Sequence, residues 1–153
     1  MMTVTSGSIL RGSFTGGLEK RDLGQATLQG SLQGPVRLAS QARLHVQGSY
    51  VGAPSVAPGG LLAITGSAIF APAYVEGEVQ VSGTVIGPSW DLLLPTGPSI
   101  LVSAYSILLV DGVAYQLQPD GSTPLARPGT TTTAPLWLLH RRGSFYPLPT
   151  AHR

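Results

Sequence analysis

Cysteine is absent from the 153 residues, which removes disulfides, thiolate metal sites and cysteine nucleophiles together. Asparagine is absent too, so there is no glycosylation sequon, and the loss of a thermolabile amide fits a source that lives hot. Charge is scarce: 9 Lys and Arg against 7 Asp and Glu make up 10% of the chain and leave a net charge of +2. Lys20 is the single lysine, and it lies in no Gly-rich phosphate loop. So thin and scattered a cationic set excludes the basic stripe of a nucleic-acid binder. No apolar run approaches the ~20 residues of a membrane span, and Met1 to Leu10 lack the basic start and apolar centre of a signal peptide. The expected setting is the cytoplasm, a filament at the membrane surface, or a virus particle.

Apolar residues reach 42% of the chain, with Gly 20 and Pro 13. A disordered chain is normally highly charged or poor in apolar residues, and this one is neither. With charge far below the usual ~25%, part of the surface is expected to be covered by partners.

One phrase, apolar-x-Gly-Ser/Thr-apolar, organises the first ninety residues. It occurs at Leu10–Phe14, Leu28–Leu32, Val46–Tyr50, Ile64–Ala68 and Val81–Val85, with its glycines at Gly12, Gly30, Gly48, Gly66 and Gly83, so the steps are 18, 18, 18 and 17. Within a unit, Ala42, Leu44 and Val46 alternate with Arg43, His45 and Gln47, which is the period-two pattern of a strand. An even repeat keeps the same side chains inward in every copy. Stacked units would therefore align Leu28, Val46 and Ile64 inside and Ser31, Ser49 and Ser67 outside, as a β-solenoid requires. The expected fold is all-β, a β-solenoid (β-helix) of about five 18-residue rungs followed by a β-hairpin. The alternative is a β-sandwich or jelly roll in which each unit is itself a hairpin.

The organisation reads as an N-terminal segment over 1–9, the repeat solenoid over 10–99, a hairpin extension over 100–126 and an extended docking segment over 127–153. The hairpin turns at Asp111-Gly112, a pair suited to positive φ. The last segment carries Leu136-Trp137-Leu138-Leu139 and Phe145-Tyr146, too apolar for a free tail.

Two stretches, Val46-Gln47-Gly48-Ser49-Tyr50-Val51-Gly52-Ala53-Pro54 and Val81-Ser82-Gly83-Thr84-Val85-Ile86-Gly87-Pro88, resemble the rung pattern of the bactofilins. The resemblance covers residues 8–90. It implies a right-handed β-helix core and nucleotide-free, end-to-end polymerisation into filaments. The chain departs from that family where Ser13, Ser31, Ser49, Ser67 and Thr84 replace the usual acidic residue, and in its apolar carboxy-terminal third.

Candidate chemistry is sparse. No two of His45, His140 and His152 have metal-ligand spacing, and His45 has the outward parity of a rung. Glu76 and Glu78 read as a solvated edge pair that discourages improper strand pairing. Tyr50, Tyr74 and Trp90 are too sparsely matched with acids in the sequence to mark a sugar-processing face. No catalytic, cofactor or metal site is expected. Trp137, Leu138, Leu139, Arg141, Arg142, Phe145 and Tyr146 are the candidate interface, apolar at its centre with arginines on the rim. The reading is a non-enzymatic structural protein forming a homo-oligomer or polymer, or joining other shell subunits: a bactofilin-like filament or scaffold subunit, alternatively a virion component such as a minor capsid, decoration, spike or tail protein.

Overall fold

The computed structural model describes residues 2–126, 136–141 and 144–147. Among them fourteen strands follow in order. They are β1 (Met2–Val4), β2 (Ile9–Phe14), β3 (Leu18–Lys20), β4 (Gly24–Gln33), β5 (Val36–Leu38), β6 (Ala42–Gly52), β7 (Pro54–Val56), β8 (Leu61–Phe70), β9 (Glu78–Gly87), β10 (Ser99–Ser103), β11 (Ile107–Val110), β12 (Val113–Gln116), β13 (Trp137–Arg141) and β14 (Ser144–Pro147). A single 3-10 turn, Trp90–Leu92, interrupts them.

Long and short strands alternate between two sheets. β2, β4, β6, β8 and β9 lie parallel and in register, while β1, β3, β5 and β7 form a second parallel sheet. A chain that returns to the same sheet in parallel after each unit is coiling, and the result is a β-solenoid of about six turns. Among the described residues, antiparallel strand pairs, which a sandwich or jelly roll would need throughout, occur only at the coil's last turn and in what is added to it.

Register explains the repeat. Leu10, Leu28, Val46, Ile64, Val81 and Val102 form one column, fully buried from Leu28 onward. A second column runs Phe14, Leu32, Tyr50, Ala68, Val85 and Leu108. Within it the largest ring, Tyr50, stacks on the smallest side chain, Ala68, and Phe70 packs on Tyr50 with ring centroids 6.1 Å apart. Outside, hydrogen bonds link successive rungs: Arg11 Nε donates to Gln29 Oε1 (2.9 Å), and Gln29 Nε2 donates to Gln47 Oε1 (3.2 Å).

The recurring glycine is required twice over. Gly48 has φ 143°, a conformation side chains rarely adopt, and a Cβ there would overlap the Gly30 carbonyl oxygen in the rung beneath. The column of glycines is thus a corner at which successive rungs touch backbone to backbone.

The short 17-residue step is taken up before β9. Position 56 holds buried Val56, but one repeat later Tyr74 is 65% exposed and Val75 points inward instead. The second sheet stops at β7. Beyond it the third side of the coil is made of loops joined by the Tyr74–Thr96 bridge and by Val75 N–H donating to Thr96 O (2.7 Å).

Residues 100–126 contain the expected hairpin, β11 and β12, turning at Asp111 (φ 50°) and Gly112 (φ 78°). In addition, β10 stacks in parallel on the first half of β9 and β11 on the second half. Together they make a sixth turn, so the coil is one rung longer than the glycine phrase indicates. Its corner is Ser103–Ser106 in place of glycine: Ser103 and Ser106 hydroxyls pair at 2.8 Å, and Ser106 Oγ accepts from Gly83 N–H (3.3 Å).

Candidate functional site

The two ends of the coil differ. At the far end the sixth turn is closed by antiparallel strands, β12 on β11 and β13 on β10, with β14 on β13. A hairpin direction reversed against the coil ends the parallel ladder. At the near end, among the described residues, β2 pairs only with β4 and β1 only with β3. Their outer edges therefore keep unpaired backbone donors and acceptors, the groups through which strands recruit further strands.

Side chains at this edge are equally unfinished. Met2, Leu10 and Phe14 are only half-buried, although they head columns whose later members are fully enclosed. Ile9 is 59% and Leu23 65% exposed. Arg11 is the one charge on β2, and its bond to Gln29 draws it toward the second rung.

Beside the edge lies a polar knot that composition does not reveal. Lys20 shares its column with Val4, Leu38 and Val56 yet is fully buried. Its ammonium donates to Asp22 Oδ1 (2.6 Å), Ser6 Oγ (2.9 Å), Asp22 O (2.8 Å) and Leu23 O (3.3 Å). Ser6 N–H also donates to Asp22 Oδ2 (2.9 Å), and Ser6 Oγ to Leu23 O. The Lys20 ammonium, and then the Ser6 amide, hold the Asp22 carboxyl below the usual carboxylate range. The knot ties the turn after β1 to the turn after β3, fixing the first rung.

The sequence-derived interface residues divide. Leu138 and Phe145 join the chain's own core, Trp137 and Leu139 are half-buried, and Arg141 and Tyr146 are exposed; Arg142 lies outside the described residues. His140 is 8% exposed and packs on Phe145 at 5.0 Å between centroids; burial pulls its pKa down to about 4, so it is uncharged near neutrality. His45 is half-buried and bonds to Thr65 Oγ1 (3.1 Å). Glu76 falls in the turn before β9, so it shares no strand face with Glu78, which accepts from Gln80.

Two adjoining pockets flank the loop that carries the 3-10 turn. One, of about 420 Å³, brings Trp90, Asp91, Thr96, His140 and Arg141 together. The other, of about 330 Å³, shares Asp91, Leu94 and Thr96 and adds Phe70 and Tyr74. Sequence reading missed this grouping because β13 arrives from almost fifty residues away. Among the described residues no three His, Asp or Glu side chains cluster as metal ligands, and no helix is long and apolar enough to cross a membrane. No protein-family model, curated protein or solved structure matches the chain.

Proposed function

We propose that the chain is a non-enzymatic structural subunit that associates, through its open first rung, with copies of itself or with other subunits of a larger assembly. The observation that carries this reading is the unpaired outer edge of β1 and β2, backed by Met2, Leu10 and Phe14, core side chains covered on one side only. An edge strand that ends a sheet and exposes apolar neighbours is normally protected or paired. Here a second copy, turned about a two-fold axis, would lay β2 antiparallel on β2 and close both edges at once.

The paired far end bears on what kind of assembly forms. End-to-end growth in the manner of the coil needs a free parallel ladder at each end, and at one of them β12 and β13 lie antiparallel on the last turn, with β14 as the outer strand among the described residues. That supports a closed assembly, as in a particle component, over an indefinite bactofilin-like filament. Sedimentation velocity from about 1 to 300 µM tests it. A dimer that the exposed-site substitution Ile9→Lys dissociates, with unchanged thermal stability, is the expected result. A monomer throughout would refute self-pairing at the first rung, and long filaments in negative-stain micrographs would refute a closed assembly.

A further inference from the structure

The His140 ring makes no side-chain hydrogen bond to a described residue, and it forms part of the wall of the larger pocket beside Trp90. No enclosed side-chain nitrogen or oxygen among the described residues is left without a partner, so the ring's nitrogens open toward the pocket and are free to bond a ligand there. Around it stand an exposed carboxylate, Asp91, and an exposed guanidinium, Arg141, which takes part in no ion pair among the described residues. The Thr96 hydroxyl donates to Ala73 O (3.3 Å) and keeps its capacity to accept. With His140 uncharged, the described residues of the lining sum to zero charge, one negative against one positive, which favours neither a phosphate nor a cation.

Aromatic rings line both pockets. Trp90, set by its contact with Tyr115 at 5.0 Å between centroids, borders the first pocket. Tyr74, thrown outward by the short repeat step, borders the second. The two pockets share Asp91, Leu94 and Thr96, so they adjoin, with Trp90 in the lining of one, Tyr74 in the lining of the other, and mixed donors and acceptors between the two sets.

The geometry points to a binding site for a neutral oligosaccharide on this surface, with Trp90 and Tyr74 as platforms for two sugar rings and Asp91, Thr96, His140 and Arg141 bonding the hydroxyls between them. Neutral sugars present apolar ring faces and hydroxyls that both give and accept hydrogen bonds, matching an aromatic, charge-balanced lining. Both pocket volumes lie within or near the ~300–1,000 Å³ typical of small-ligand sites. Among the described residues Asp91 is the one carboxylate lining either pocket, whereas glycoside hydrolysis employs a facing pair, so the lining matches glycan binding and not cleavage. Glycan binding here is independent of how the first rung associates.

Ligand-observed NMR and calorimetry with cellotriose, maltotriose, chitotriose and mannotriose, alongside glucuronic acid and inorganic phosphate, test the assignment. At least one neutral trisaccharide is expected to bind with a Kd of about 0.1–5 mM. Tyr74→Ala and Arg141→Ala, both at exposed positions, should each weaken it about fivefold or more, a loss of roughly 1 kcal/mol. In a Trp137→Phe background Trp90 is the sole tryptophan, and its emission should shift as the sugar is titrated. Absence of binding by all four trisaccharides, binding untouched by both substitutions, or tighter binding of glucuronate or phosphate would each overturn it.

Discussion

Gly12 and Gly48 stand at the same position of the repeat, with φ 121° and 143°, but only Gly48 has a rung beneath it. A Cβ on Gly12 would meet nothing within 4 Å, whereas on Gly48 it would overlap the carbonyl oxygen of Gly30. Substituting alanine at each separates two costs that the column otherwise fuses. Gly12→Ala adds only backbone strain, about 1–2 kcal/mol. Gly48→Ala adds the same strain and also forces β4 and β6 apart locally. Losing roughly two ladder bonds at about 1 kcal/mol each brings its total to about 3–4 kcal/mol. In a domain of this size 1 kcal/mol moves Tm by about 2–4 °C, so the expected falls are roughly 2–8 °C for Gly12→Ala and 6–16 °C for Gly48→Ala. Calorimetry, with urea unfolding at a concentration low enough to keep the chain monomeric, gives both values. If the two variants lose stability within about 1 kcal/mol of each other, contact between rungs at the glycine corner is not what selects the residue.

Three further outcomes follow from buried polar groups. His140 stays uncharged in the fold down to about pH 4, while the unfolded chain takes up its proton near 6.5; stability should therefore fall by roughly 2–3 kcal/mol as pH drops from 6.5 to 4, and His140→Gln should flatten that part of a urea-midpoint profile. Burial raises the Tyr50 pKa, so above about pH 10 only the unfolded chain ionises there and stability should decline by about 1.4 kcal/mol per pH unit. Tyr50→Phe should remove that slope, and at neutral pH it should cost about 1–2 kcal/mol, because the Gly34 carbonyl loses its 2.8 Å donor. At the first rung, Asp22→Ala strips the enclosed Lys20 ammonium of its carboxylate and should lower Tm. Adding Lys20→Met, which matches the apolar column of Leu38 and Val56, should restore it; a double variant less stable than Asp22→Ala alone would disprove this account of the knot.

The coil was legible because its determinants are local. Parity, an even period and a glycine at one position are all properties of a single unit, and the columns from Leu28 to Val81 follow from them directly. What escaped lies where contacts outrun the period. The sixth turn has no glycine corner; Ser103 and Ser106 make it by hydroxyl pairing, and the intervals from Val81 to Val102 and from Thr84 to Ile107 match neither each other nor the repeat. Lys20 reads as a surface residue because lysine is rarely enclosed, and only its register with Leu38 shows it pointing inward. The sugar surface was hidden for the same reason: Trp90 and Asp91 are neighbours in sequence, but His140 and Arg141 reach them through the pairing of β13 with β10.

In-register columns also make the molecule divisible. Residues 43–60 form one complete circuit, since Arg43 lies on Leu61 and every position through Gly52 lies 18 residues below its counterpart. Joining position 42 to position 61 would shorten the rod by a single strand spacing, about 4.8 Å, while leaving the knotted beginning and the hairpin-closed end untouched. Duplicating the same stretch would lengthen it equally. For such a chain, reach is set by counting copies of an 18-codon segment, and evolution can adjust it without redesigning either terminus.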